Sequence, residues 1–392
     1  MLFPDEKSRA FLKFVLAFWF IYSANAIFGT FFPVYLNHTG YSNTVVGIVL
    51  AIGPIVAIVA QPVWGVLCDR VRVKNSILLI LLIGSAVTNL LFPVSTNFWY
   101  IVLIVSLFSF FQTSIMPISD AITLEHLGAG SGNYGRIRLF GTLGYAVMSI
   151  LAGIVAKRWI TGIFPLYFVV SIPIVLTALA LPKVNGHQTG RKIVSPFLML
   201  KDHKFLLLMI LNMLVQSTLG YYNSFYSIFF RQLGGDNGLL GWAMMLCALS
   251  EVPFLLFSNR ILKKFGVETI LVGSTLIMSL RWLLVFLSSN KYLLLLTQLF
   301  HGCNYVVFTL SLAVYINETA PKELRASSQA LSGIVTFGLS KIVGSVLGGY
   351  LSSLFGIRQI FFVNFLITAV SAVFFGFVFL RGRGRPAQGA GA

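Results

Sequence analysis

Long apolar runs dominate the chain, and short polar clusters punctuate them. A helix needs about 20 mostly apolar residues to cross a hydrocarbon core. Runs of that length predict twelve spans, at about 11–36, 45–67, 76–94, 98–124, 135–156, 162–181, 204–230, 239–257, 268–288, 292–317, 324–350 and 355–380. Most connections are short. The exception is 182–203, a polar stretch bearing Gly and Pro, which divides the chain into six spans and six. The expected organisation is an N-terminal six-helix half at 1–181, a cytoplasmic linker at 182–203, a C-terminal six-helix half at 204–380 and a disordered basic tail at 381–392.

Composition agrees with a membrane chain. Of 392 residues, 57% are apolar and 10% charged, where a soluble domain carries roughly 25% charged residues. The net charge of +17 would suggest nucleic acid on a hydrophilic body, but the apolar background excludes that partner. Cys68, Cys247 and Cys303 are far apart, lack metal-ligand spacing and lie in or beside apolar runs, so buried reduced thiols are expected, with no metal. With both termini cytoplasmic, 21 of the 28 Lys and Arg fall on the cytoplasmic side and five on the other, while Arg281 and Lys341 fall inside spans. Basic residues collect on the cytoplasmic side of membrane proteins, so most of the charge encodes orientation in a plasma (inner) membrane. Lys7, Arg9 and Lys13 before an apolar run and Ala24-Asn25-Ala26 imitate a secretory signal, but the run continues ten residues further, so cleavage is not expected. Asn37-His38-Thr39 is a glycosylation acceptor sequence on the expected outer face.

An ionisable group near the bilayer centre costs at least about 2.5–3.5 kcal/mol, which marks each one as a functional candidate. Asp120, Arg138, Glu251, Arg281, His301 and Lys341 are spread over six spans in both halves, and Glu125 sits at the end of the fourth. Such a spread points to a solute or ion pathway rather than one structural ion pair. No nucleophile–base pair, metal cluster or phosphate loop is present in the sequence, so an enzyme is not expected.

Gly65-x-Leu67-x-Asp69-Arg70-x-Arg72-x-Lys74 resembles the signature loop of the major facilitator superfamily, with Arg72 where that loop has its second Gly. A trace of an internal repeat accompanies it, in Gln61-Pro62 through Asp69-Arg70 and Pro253 through Asn259-Arg260. The resemblance implies an all-α membrane protein of the major facilitator fold, with twelve helices in two halves that rock around a midplane site. It implies a gating role for Gly65, Asp69 and Arg70, Gly by allowing close helix approach. Pro117-Ile118-Ser119-Asp120 with Tyr134-Gly135-Arg136-Ile137-Arg138 and Gly144-Tyr145 is similar to the sugar-site segment of the oligosaccharide/proton symporters, the group of lactose permease. That implies Asp120 and Arg138, 18 residues apart, as substrate-binding, with Tyr145 as an aromatic platform. Tyr22, Asn25, Gln216 and Tyr222 follow as substrate-facing groups by the same likeness, although helix–helix bonding accounts for them nearly as well. Arg281 and His301 fall at the spacing of that group's coupling pair, but its following Glu is Asn304 here. Leu214-x-Gln216, Tyr221-Tyr222, Glu251-Val252, Arg281-Trp282 and Leu299-x-His301 are similar to the phenylpropionate permease branch, which also lacks that Glu.

The missing carboxylate has an electrostatic consequence. Glu251 would stand against two cations, Arg281 and Lys341, and with Asp120 and Arg138 the cavity would sum to +1 with His301 neutral. An uncompensated buried charge is costly, and an anionic ligand would offset it. The expected function is proton-coupled uptake of a small organic solute by alternating access, leaning toward a carboxylate-bearing or aromatic acid. Glu251, Arg281, His301 and Lys341 would contact substrate or handle the proton from the C-terminal half, as a proton-coupling set with Glu251 as the preferred carrier. No cofactor beyond the proton gradient is expected; the partners are substrate, proton and bilayer, and the protein a monomer. The alternatives are a sugar or nucleoside symporter, an exporter or antiporter, and a solute sensor that does not transport. The fifth span has glycines but no Pro, which disfavours a drug antiporter.

Overall fold

A computed structural model of the chain describes residues 6–128, 134–185, 201–321 and 324–381. Their helices are α1 (Glu6–His38), α2 (Asn43–Arg70), α3 (Lys74–Asn89), α4 (Phe98–Gln112), α5 (Ile115–Leu127), α6 (Tyr134–Arg158), α7 (Ile163–Ala180) and α8 (His203–Gln232). They continue with α9 (Asn237–Phe265), α10 (Val267–Leu287), α11 (Lys291–Leu296), α12 (His301–Thr319), α13 (Arg325–Gly333), α14 (Ser340–Phe355) and α15 (Ile357–Arg381). Among the described residues, eleven helical stretches are long and apolar enough to cross a membrane. The tenth expected span is α11 and α12, joined by a 3₁₀ turn at Thr297–Phe300. Most of the linker and all of the tail beyond Arg381 lie outside the described residues.

Two further spans expected to be continuous are also interrupted, for different local reasons. Between α4 and α5 the carbonyl of Thr113 would bond the amide four residues on, but that residue is Pro117, which has none. The Gln61 side chain donates to the orphaned carbonyl instead, at 3.1 Å. Between α13 and α14 the chain widens into a π-helical segment at Ile334–Leu339. Single polar residues start three of the helices: Asn97, Asp202 and Asn290 each accept amide hydrogen bonds at the first turn of α4, α8 and α11.

The two sets of helices meet chiefly through α6 against α9 and α2 against α14. These are the fifth and eighth spans and the second and eleventh. Advancing each by six positions turns one pair into the other, so the contact has the two-fold character of a six-span repeat. Glycines let the backbones touch: a Cβ on Gly349 would lie 2.6 Å from the Asn43 carbonyl, and one on Gly153 2.7 Å from the Asn237 carbonyl. Polar links accompany them, Thr44 to Ser353 at 2.8 Å, Asn237 to the Ala156 carbonyl at 2.8 Å and Lys157 to Asp236 at 3.0 Å. All of these lie toward the α1–α2 end of the bundle.

The α2–α3 end is arranged differently. A Cβ on Gly65 would meet nothing within 4 Å, so the close approach implied for it is not made in this conformation. Asp69 and Arg70 are exposed there. Residues 182–185 run back beside the α2–α3 turn, with Val73 bridged to Asn185 and the Asn75 side chain bonded to both Pro182 and Val184. Buried Lys74 reaches Glu125 at 2.6 Å and Asp69 at 3.8 Å. Among the described residues the bundle is pinched at the α1–α2 end and looser at the α2–α3 end.

Candidate functional site

The densest polar assembly lies inside the C-terminal set of helices. Arg281 on α10 is fully buried. Its guanidinium stacks 4.4 Å from the Tyr222 ring centre and 5.1 Å from that of Trp282. One terminal nitrogen donates to Oε1 of Gln298 at 3.0 Å, and the other sits 3.0 Å from Nδ1 of His301. Tyr222 donates to the same Gln298 oxygen at 2.5 Å. Nε2 of His301 lies 3.4 Å from Oε1 of Glu251, whose side chain is 20% exposed.

A guanidinium has donors only, so a hydrogen bond from Arg281 needs Nδ1 as its acceptor, and that tautomer directs the Nε2 proton at Glu251. A second proton on His301 would have to displace the bond from Arg281. In that tautomer a proton on Glu251 would leave the bond from Arg281 in place. The approach of α9 to α12 depends on Gly302: a Cβ there would lie 2.7 Å from the Glu251 Cα, and its amide donates to Ser250 Oγ at 2.9 Å.

In the N-terminal set, Asp120 on α5 accepts a hydrogen bond from the Tyr134 hydroxyl at 2.8 Å. Arg138, one turn along α6, engages the same hydroxyl, and its charge acts on Asp120. Tyr145 is bonded to Thr30 at 3.2 Å and lies within electrostatic reach of Cys247 and Glu251 across the α6–α9 contact. Asn25 accepts from Gln112 at 2.8 Å. Tyr22 lays its ring over Gly141, where a Cβ would lie 2.7 Å from it. Gln216 is buried on α8, and its amide nitrogen has no partner among the described residues.

Two expectations change. Glu251 was expected to face Arg281 and Lys341 together, but His301 stands between it and Arg281, and Lys341 makes no ion pair among the described residues. Tyr222 was expected to face substrate, but it is buried beneath Arg281 as part of the cluster. The Asn304 side chain lies outside the described residues. Cys68 and Cys247 are free and buried, as expected. Gln298, Trp282 and Tyr134 were missed as site residues. The signal for Gln298 was a lone amide three residues before His301, hence on the same helical face.

Comparison with known proteins follows the same lines. A family model described as the MFS_1 like family matches residues 11–363. The maltose permease of Geobacillus stearothermophilus is 26% identical over 370 residues, covering 92% of this chain and 92% of the relative. A probable 3-phenylpropionic acid transporter of Escherichia coli K12 is 23% identical over 373 residues, covering 92% and 95%. The crystal structure of the nucleoside transporter NupG superposes with a TM-score of 0.83 at 18% identity, covering 94% of this chain and 99% of that one.

Proposed function

As a member of the MFS_1 like family the chain is a multi-pass secondary transporter of the major facilitator fold, and we propose that it takes up a small organic solute together with protons by alternating access. The observation that carries the coupling is the buried line Arg281–His301–Glu251. With Glu251 ionised, the line carries one anion and one cation through a neutral imidazole. Protonating Glu251 leaves the Arg281 charge uncompensated in a low-dielectric interior, which is costly. Proton binding is thereby linked to a rearrangement of α9, α10 and α12, the helices that hold the three groups.

Asp120, Arg138 and Tyr145, with Tyr22, Asn25 and Gln216, supply solute contacts from the other side of the cleft. Gly65, Asp69 and Arg70 act at the gate. Both termini are placed in the cytoplasm by the basic residues, so the loose α2–α3 end faces inward and the pinched end outward. The relatives' named solutes include a disaccharide, an aromatic acid and nucleosides, so kinship leaves the solute class open and the charge inside the cleft must set it.

The test uses purified protein in proteoliposomes, with a solute first selected by thermal stabilisation from a panel of sugars, nucleosides and aromatic acids. An inward proton gradient should drive wild-type accumulation. Glu251→Gln should abolish accumulation while preserving solute exchange at equal pH. If the variant still concentrates solute at the wild-type rate, Glu251 is not the proton carrier.

A further inference from the structure

Lys341 brings a cation to the middle of the membrane and meets no countercharge there among the described residues. It lies sixteen residues after the start of α13 and fourteen before the end of α14, so each end of the span is roughly 20 Å away along the axis. Of the eleven carboxylate side chains in the sequence, only Asp120 and Glu251 lie deep in spans. Asp120 is engaged by Tyr134 and Arg138, and Glu251 by His301. The other nine stand in the sequence at helix ends or connections. Lys341 makes no hydrogen bond or ion pair among the described residues.

Its position on α14 shows where the charge points. Gly344, Ser345 and Gly348 follow at +3, +4 and +7, the spacing of one helical face. All three are buried: Gly344 and Gly348 pack on α8, while Ser345 meets α2 and bonds Ser224 on α8. Lys341 shares that inward stripe, yet it is exposed. A group on the wall of the cleft between the two sets of helices meets both conditions. The lipid-facing side of α14 is the opposite one, carrying Leu347, Tyr350 and Leu354. The turn that presents Lys341 is the π-helical segment Ile334–Leu339, pinned by Asn212 to Thr336 at 2.9 Å and followed by Ser340 bonded to the Met213 carbonyl. Such segments are unusual and often mark functional positions.

We infer that Lys341 anchors the carboxylate of the transported solute, which is therefore an organic anion; this rests on the transporter reading above. The proton line and the substrate anchor are then separate devices. Arg281 is occupied by Tyr222, Gln298 and His301, whereas the ammonium of Lys341 offers a compact charge to one carboxylate. Of the two roles the sequence leaves open for Lys341, substrate contact is the one assigned here.

The experiment measures binding by thermal stabilisation, and exchange in proteoliposomes, for matched acids and neutral counterparts: 3-phenylpropionate with its amide, and glucuronate with glucose. The wild type should select an acid over its counterpart. Lys341→Gln should weaken the selected acid roughly tenfold or more, the loss of one charge-assisted hydrogen bond, and Lys341→Arg should restore most of it. Melting of the ligand-free variants controls for folding. Selection of a neutral member, or an acid bound equally well by Lys341→Gln, overturns the inference while leaving transport intact. A panel in which nothing is bound or exchanged overturns both readings.

Discussion

Replacing Gly47 with alanine should push the protein out of the conformation described here. A Cβ at Gly47 would overlap the Ser345 carbonyl oxygen and lie 3.1 Å from the Gly349 Cα, where ordinary contact begins at 3.4 Å. Both obstacles are backbone, so no side chain can swing aside, and α2 and α14 must separate. Overpacking of this kind costs about 1–3 kcal/mol. The cost falls only on the state with the α1–α2 end closed, so the opposite state should gain roughly fivefold to a hundredfold in relative population. Nitroxide labels at His38 and Leu354, both exposed at the pinched end, would report it by pulsed electron spin resonance. A long-distance component should grow in Gly47→Ala. Gly273→Ala is the control, since its added methyl meets nothing within 4 Å and it lies outside the gate. If the two variants give the same distance distribution as each other, the glycine contact is not what holds that end shut.

Two further outcomes follow from particular contacts. Gln298→Leu removes the acceptor of both Tyr222 and Arg281; losing one neutral and one charge-assisted bond should cost about 2–4 kcal/mol, seen as a lower melting temperature in detergent, and an unchanged midpoint would remove Gln298 from the cluster. Asp236 is held below its ordinary carboxylate value by the Leu239 amide first and Lys157 second. A depressed carboxylate contributes its stabilisation above its unfolded value and loses it as pH falls through the folded one. Closure of the pinched end should therefore be unaffected by Asp236 between pH 7 and pH 5 and weaken only below about 4, and Asp236→Asn should abolish that acid-range change in the same spin-label distance. An acid transition retained in Asp236→Asn would assign it to another group.

The spans and their six-and-six grouping were legible because a bilayer imposes a length and an apolarity that few other environments require. The intramembrane charges were legible for the related reason that each stands out against an apolar run. Pairing within the interior was not. Membership of a span does not give a residue's direction around the helix, so Glu251 was set against both Arg281 and Lys341, although only Arg281 shares its chain of contacts. Gln298 and Tyr134 carry no charge and resemble ordinary helix-bonding residues until the groups they join are seen together. The break before α5 was within reach, because Pro117 cannot donate to Thr113, but the rescue by Gln61 needed a neighbouring helix in place.

The proposed separation of substrate anchor from proton line sets how transport should respond to voltage. In the empty cleft, Asp120 and Arg138 cancel, and Glu251 cancels Arg281 across a neutral His301, so Lys341 leaves one positive charge. A bound carboxylate brings the interior to neutrality, and a proton on Glu251 returns it to the value of the empty protein. The loaded and empty carriers then cross the field with equal charge, and one anion moving with one proton transfers none. Each elementary charge moved through 100 mV is worth about 2.3 kcal/mol, so any imbalance would be conspicuous. Proteoliposomes given a potassium diffusion potential with valinomycin at equal pH should show no driven accumulation, while a pH gradient at zero potential should drive it fully. Accumulation driven by the potential alone would mean more than one proton per carboxylate, and a second proton site besides Glu251.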